Sequence, residues 1–264
     1  MKQTLIRRPK LPQSRPQMRT EAGPALSRRL EAVKTVAGRC GTFADIGSDH
    51  ALLPIRMMIE NLCERAIVTD LRKGPLERAA ANVEKYCPKK KELFSLRRGS
   101  GLTVLEKGEA EVKTICGMGG LLIADIIEES FEIAKEGRLV LQPNTCVPEL
   151  RCYLWKKGFE IESEKGVMDA GHGYVVMNCI YTGRSRCEDP GSILAITGEF
   201  IGRDGDPEGK DCLRAVRRKY DAALEKINGE GGAKDDAGFD GKRERVEKLA
   251  EVIGGINEIL GENQ

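Results

Sequence analysis

Between Thr42 and Tyr181, short apolar runs of strand length alternate with segments of helical period, and this alternation constrains the fold more than any other feature. Thr42–Ile46, Arg65–Asp70, Leu93–Arg98, Val112–Cys116 and Arg138–Leu141 read as five strands. Helical stretches run from the first strand through Leu62, from Gly74 to Tyr86, over Leu121–Glu129 and over Pro148–Lys157. Pro75 suits the first turn of the second stretch, where its missing N–H costs nothing. Repeated βα units imply a parallel sheet, because each helix carries the chain back for the next strand. Phe159–Val167 and Gly173–Tyr181 follow with no helix between them, so a hairpin closes the sheet and adds one antiparallel strand. The expected fold is α/β, with a mostly parallel sheet over residues 26–183.

Two flanks depart from this pattern. Residues 1–39 hold ten Lys/Arg against Glu21 and Glu31, a surplus of eight positive charges. Residues 1–25 read as a basic extension in which Pro9, Pro12, Pro16 and Pro24 oppose regular structure. Such an arm is either a partner for a phosphate backbone or a solvated extension. A first helix is expected from Leu26, with Leu26, Leu30 and Val33 on one face. Beyond Tyr181, Leu213, Val216, Tyr220, Leu224 and Ile227 form one apolar seam, and Val246, Leu249, Ile253, Ile256 and Leu260 a second. A glycine-rich stretch, Asn228–Gly241, lies between them. Residues 184–264 therefore read as an antiparallel helical hairpin, or else as two helices lying back on the main domain.

Composition narrows the classes further. No run of about 18 apolar residues exists, so no membrane-spanning helix is expected, and the N-terminus lacks the apolar stretch of a signal peptide. Nine cysteines without any CxxC pair, and only two histidines, argue against a structural zinc site. Reduced thiols, a cytoplasmic location, no metal and a monomer are the expectations.

In a parallel sheet of this kind ligands sit at the carboxyl ends of the strands. The first such end is Asp45-Ile46-Gly47-Ser48-Asp49-His50, where Gly47 permits a sharp turn and a close approach. A single glycine does not make the GxGxxG fingerprint, and two aspartates would repel a pyrophosphate. The acidic loop suits a cationic sulfonium cofactor better than a dinucleotide, and Asp49 reads equally as a helix cap. Asp70 ends the second strand about 20 residues on, where an acidic side chain accepts hydrogen bonds from ribose hydroxyls. Gly99-Ser100-Gly101 leaves room beside an adenine ring, or is a plain turn. Cys116-Gly117-Met118-Gly119-Gly120 follows the fourth strand, and Gln142-Pro143-Asn144 the fifth, as amide donors to a base edge or as a turn. Arg214, Arg217 and Arg218 share one helical face, available to phosphates or paired with Asp211 and Asp221.

The strand pattern has the layout of a Rossmann-like class I methyltransferase. Leu26-Ser27-Arg28-Arg29-Leu30, the Asp45–His50 loop continuing through Ala51-Leu52-Leu53-Pro54, Gly74-Pro75, Cys116–Gly120 and Leu141-Gln142-Pro143-Asn144 together resemble the bacterial tRNA (adenine(22)-N1)-methyltransferase family over roughly residues 25–182. The resemblance implies S-adenosylmethionine as cofactor, tRNA as substrate, and a coiled-coil-like C-terminal domain that helps hold it. Cofactor contacts carry over onto Asp45, Gly47, Ser48, His50, Asp70, Gly99, Ser100, Gly101, Cys116 and Gly117. Asp49, Met118 and Asn144 are candidates for the reacting centre; Arg28, Arg29, Gly119, Gln142, Pro143, Arg214, Arg217 and Arg218 are candidates for the substrate. His50 reads equally as a cap or core residue. A methyltransferase acting on another RNA or on a small molecule is the alternative. The basic extension, the glycine-rich tip and basic Leu71-Arg72-Lys73 depart from the family pattern.

Overall fold

A computed structural model describes residues 23–203, 205–229 and 236–262, with backbone alone for 236–241. Most of the basic N-terminal extension and the centre of the glycine-rich stretch lie outside the described residues. The first helix, α1 (Arg28–Ala37), is capped by the Ser27 side chain, which accepts from the Leu30 N–H. Seven strands follow: β1 (Cys40–Ile46), β2 (Cys63–Asp70), β3 (Phe94–Arg98), β4 (Val112–Gly119), β5 (Arg138–Thr145), β6 (Phe159–Asp169) and β7 (His172–Tyr181). They form one sheet in the order β3-β2-β1-β4-β5-β7-β6, parallel except for β7, which runs antiparallel to both its neighbours.

The crossover helices are α2 (Leu52–Ile59), α3 (Lys73–Tyr86), α4 (Gly120–Glu129) and, after a single turn α5 (Phe131–Ala134), α6 (Val147–Lys156). They cover both faces of the sheet, so successive residues of a strand are buried in opposite directions. Ala44, Ile46, Ile115, Leu139 and Leu141 join one core with α4 and α6, while Phe43, Val112 and Val140 join the other with α1, α2 and α3. Strand order reverses between β1 and β4, which opens a crevice at their carboxyl ends.

Two expected boundaries shift. Cys116–Gly119 and Gln142–Asn144 are not loops after their strands: they extend β4 and β5, paired through an irregular register at Met118. A short helix α7 (Ile193–Thr197), absent from the sequence reading, precedes the long helices α8 (Pro207–Gly229) and α9 (Asp236–Leu260). The hairpin core comprises Leu213 on α8 with Val252, Ile256 and Leu260 on α9, and α7 adds Ile196. Both readings of this region contain part of the outcome. The helices pair with each other, and the base of α8 also packs on the sheet, where a side chain on Gly166 or Gly173 would run into Gly209 or Cys212.

α7 is held by a buried ion pair. Arg151 on α6 donates through Nε to Glu164 on β6 at 2.7 Å, both side chains being 1% exposed. Its Nη1 donates to the Ala195 and Ile196 carbonyls at 2.7 and 2.9 Å. The guanidinium thus fastens the helical appendage to the sheet.

Candidate active site

At the end of β1 the chain turns at Gly47, whose φ of 73° is the left-handed conformation that glycine tolerates. A side chain there would collide with Met118 from β4, so these two strand ends meet directly. The Ser48 N–H donates to the Thr69 carbonyl at 2.9 Å, which ties the turn to β2. The result is a cleft of about 280 Å³ lined by Arg29, Asp45, Gly47, Ser48, Asp49, His50 and Cys116, among others.

Asp45 is the buried charge of this cleft, 7% exposed. Its carboxylate accepts from Thr114 Oγ1 at 2.7 Å and from the Ser48 hydroxyl. Burial pushes its pKa above the ordinary carboxylate range, and the two hydroxyl bonds offset only part of that rise. Among the described residues no cation pairs with Asp45. Asp49 differs: it is half exposed, and the Arg78 guanidinium on α3 pairs with it and holds its carboxyl below the usual range. His50 lies 3.2 Å from Asp49 and is also exposed, and its carbonyl accepts from Asn82, so it is neither a cap nor a core residue.

Asp70 ends β2 with its carboxylate 7% exposed, accepting the Arg72 N–H at 2.8 Å in a local turn. The Gly99 N–H donates to the Asp70 carbonyl at 3.1 Å, which sets the Gly99–Gly101 turn beside it. Ser100 is exposed, its hydroxyl 3.4 Å from Glu129. These positions share the carboxyl edge with the cleft but do not line it.

On the other side, α1 delivers Arg29 to the ends of β4 and β5. Its Nη1 donates to Gln142 Oε1 at 3.0 Å and to Asn144 Oδ1 at 2.8 Å. Gln142, fully buried, accepts the Gly117 N–H at 3.2 Å, and Asn144 Nδ2 donates to the Gly117 carbonyl at 2.7 Å. Two side chains, themselves held by Arg29, therefore clamp Gly117, whose φ is 76°. Pro143 is buried between the two amides, and its carbonyl accepts from Gln142 Nε2 at 2.9 Å. Gly119 approaches Thr145, and a side chain on Gly120 would strike the Cys146 carbonyl. Burial raises the Cys116 thiol well above its ordinary pKa, which keeps it neutral.

The remaining candidates lie elsewhere. Arg28 points away from the cleft and pairs with Glu208 on α8 at 2.7 Å. Arg214 pairs with Asp211 and Glu262, and Arg217 with Asp221, Asn257 and Glu262; these bonds join the start of α8 to the end of α9. Arg218 is exposed and has no partner among the described residues. Three residues missed in the sequence belong to the site: Thr114 beneath Asp45, Asp169, which accepts the Arg29 N–H at 3.3 Å, and Tyr174, whose ring centroid lies 5.1 Å from the Arg29 guanidinium. The last two come from the β6–β7 hairpin, and no local motif marks them.

Residues 26–177 match the family model described as a methyltransferase domain. The tRNA (adenine(22)-N(1))-methyltransferase of Bacillus subtilis (strain 168) is 35% identical over 182 residues, covering 68% of this chain and 76% of the relative. The crystal structure of the B. subtilis m1A22 tRNA methyltransferase TrmK superposes with a TM-score of 0.72 at 28% identity, covering 89% of this chain and 99% of that one. The Streptococcus pneumoniae protein Sp1610, solved in complex with S-adenosyl-L-methionine, gives a TM-score of 0.72 at 29% identity, covering 89% and 100%.

Proposed function

The chain belongs to the tRNA (adenine(22)-N(1))-methyltransferase family, and on that premise we infer that it transfers a methyl group from S-adenosylmethionine to N1 of adenine 22 in tRNA. The observation that carries the reading is the cleft at the strand-order reversal, where a buried carboxylate without a cationic partner meets two glycine turns. That donor set fits the cofactor: Asp45 for its ammonium group, Asp70 for its ribose hydroxyls, and the Gly99–Gly101 turn for its adenine ring.

When bound, S-adenosylmethionine supplies an electrophilic methyl group on a positively charged sulfur. Neutral adenine N1 carries its own lone pair, so the protein needs no base to create the nucleophile. Its task is to expose the base, align N1 and exclude water. Gly117, clamped by Gln142 and Asn144, and Met118, lying over Gly47, form the wall against which the base is placed. Asn144 is fully engaged with Gly117 and Arg29, so its part is positioning. Asp49 is balanced by Arg78, so it is not a free negative charge for the cation that forms on the base.

RNA contact falls to exposed cations at the edges. Arg218 on α8 and Arg72 and Lys73 after β2 suit this role. Arg214 and Arg217 are given over to joining α8 with α9. Residues 184–264 act as the tRNA-holding appendage of a monomer in the cytoplasm. No helix among the described residues is long and apolar enough to cross a membrane. The test is incubation with unmodified bacterial tRNA and labelled S-adenosylmethionine, followed by mapping of the methylated nucleoside. Label at N1 of adenine 22 is the expected result; label elsewhere, or in metabolites and not in tRNA, overturns the assignment.

A further inference from the structure

Adenine N1 lies on the Watson–Crick edge, so a base that reacts there turns this edge to the methyl donor and is held by its faces. Enzymes that act on an extruded base stack it on an aromatic or apolar side chain. Phenylalanine, tyrosine and tryptophan make up only 5% of this chain, which limits where such a partner can stand. Among the described residues the sheet carries five of them. Phe94 and Phe159 begin their strands and Tyr181 ends the antiparallel β7, so all three lie at the amino edge. Phe43 is buried inside β1. Tyr174 alone stands at the carboxyl edge.

The surroundings of Tyr174 lead to the wall at Gly117. β7 runs antiparallel to β5, so the turn from β6 to β7 rises beside the carboxyl end of β5. The Arg29 guanidinium lies 5.1 Å from the centre of the Tyr174 ring and donates to Gln142 and Asn144, the amides that hold Gly117. Asp169 accepts the Arg29 N–H at 3.3 Å and forms no ion pair among the described residues. Arg29 touches both, so Asp169 and Tyr174 share the face of the hairpin turned to α1. α8 closes the other face, where a side chain on Gly173 would meet Cys212. The turn is sharply formed: Ala170 and Gly171 take φ of 48° and 80°, and His172 Nδ1 lies 3.0 Å from the Ala170 carbonyl. Alanine seldom adopts that conformation, and such residues cluster at functional sites.

We propose that the β6–β7 turn holds the target adenine, with Tyr174 stacked on its ring and the Asp169 carboxylate beside the charge that the ring acquires. This inference rests on the tRNA reading above. In the transfer the N1 lone pair forms the new N–CH3 bond, while the S–CH3 bond breaks and leaves its electrons on sulfur. No proton moves, and the positive charge passes from sulfur to the base. An aromatic face attracts a cation, so the Tyr174 contact strengthens as the reaction proceeds. The Arg29 guanidinium opposes that charge, and Asp169 next to it offsets the opposition. The adenine of the cofactor is the less fitting occupant of this turn. Asp70 and Gly99–Gly101, which suit it, lie beyond β1, β4 and β5.

The experiment uses the full chain with two kinds of tRNA. Methyl transfer is timed with unmodified tRNA at saturating cofactor, and fluorescence is read from tRNA carrying 2-aminopurine at position 22, which dims when stacked. Tyr174→Leu keeps bulk but removes the aromatic face, and kcat should fall about 10- to 100-fold, the range of one base–aromatic stack. Affinity for tRNA should stay within about threefold, because phosphate contacts elsewhere dominate it. Affinity for S-adenosylmethionine should not change. Tyr174→Phe should keep most of the rate. The 2-aminopurine should be brighter on Tyr174→Leu than on the unaltered protein. Asp169→Asn should lower kcat about tenfold and leave that fluorescence as it was. An unchanged rate or unchanged fluorescence in Tyr174→Leu overturns the inference. A cofactor affinity that falls as far as the rate does so too, since Tyr174 would then act through Arg29 on the cofactor. Should Tyr174→Leu fail to fold, Asp169→Asn decides, and a full kcat there overturns the inference. An unaltered protein that binds S-adenosylmethionine yet leaves adenine 22 unmethylated would bring down the tRNA reading itself, and this inference with it.

Discussion

Two pairs of opposite charges among the described residues are arranged differently: Arg151 with Glu164, both buried, and buried Asp45 with half-buried Arg29. Arg151 Nε donates to Glu164 at 2.7 Å and Nη1 donates to two carbonyls of α7, while Glu164 Oε2 has no hydrogen-bond partner among the described residues. Asp45 and Arg29 line one cleft, yet hydroxyls and amides hold them apart. A charge desolvated by folding costs free energy unless a partner compensates it. The first pair finds its compensation within the fold and serves to fasten the appendage. The second pair is left without it, and the fold bears that cost where a charged ligand can offset it. Buried charge marks a site here only when the protein itself leaves it unneutralised.

The contrast is open to direct attack. The largest expected effect is on stability: Arg151→Met leaves Glu164 buried and alone and should cost roughly 3–5 kcal/mol in denaturant unfolding. The folded fraction should keep its cofactor affinity. Arg151→Met combined with Glu164→Leu should recover most of the loss; a double variant as unstable as the single one would show that the pair does more than balance charge.

Asp45→Asn should behave in the opposite way. Cofactor affinity should fall by about 30- to 1,000-fold, the consequence of removing one partner of a buried charge pair. Stability at neutral pH should rise. The sign follows from the raised pKa of Asp45: its penalty grows as pH rises from the ordinary carboxylate range to the folded-state value, and stays constant above it. The affinity of the unaltered protein for S-adenosylmethionine should also weaken as pH falls into that raised range, while Asp45→Asn shows no such slope. Calorimetry from neutral pH down to the ordinary carboxylate range, about pH 4, checks both statements.

The smallest effect concerns the opposite edge of the sheet. Lys113 at the start of β4 is 1% exposed, and burial pushes its pKa down to about 8. Its ammonium donates to the Glu136 carbonyl, with the Ala110 carbonyl at 3.5 Å. Burial opposes the charged form, so the penalty is present below about pH 8 and fades as pH rises towards the ordinary value of 10.5. Lys113→Met should therefore raise stability by about 1 kcal/mol at neutral pH, with the gain shrinking in alkali. A gain that persists unchanged at high pH would mean that packing, not charge, is responsible.

Much of the fold was legible because it follows from periodicity. The strands at Thr42–Ile46 and Arg65–Asp70 match β1 and β2 to within two residues, and the hairpin at Phe159–Tyr181 supplies the antiparallel strand as expected. α7 escaped notice because Ile193–Thr197 spans little more than one turn, too short for a helical period to emerge. The extended ends of β4 and β5 escaped because glycine and proline ordinarily interrupt strands. The site was legible only in part. Asp45, Gly47 and Cys116 line one cleft at their strand ends, whereas adjacency in the sequence does not show that Arg29 turns inward while Arg28 faces solvent.

The amino-acid sequence by itself determined the βα alternation, and hence the parallel sheet, the edge at which ligands bind and the glycines and aspartates placed there. These depend on spacing along the chain, which periodicity and backbone chemistry record. Only the tertiary structure decided which charges are neutralised. Arg214, Arg217 and Arg218 look alike on one helical face, yet Glu262, more than forty residues away, engages the first two and leaves the third exposed. Burial and pairing are set by what folds against a side chain, and those neighbours come from elements that no local pattern connects.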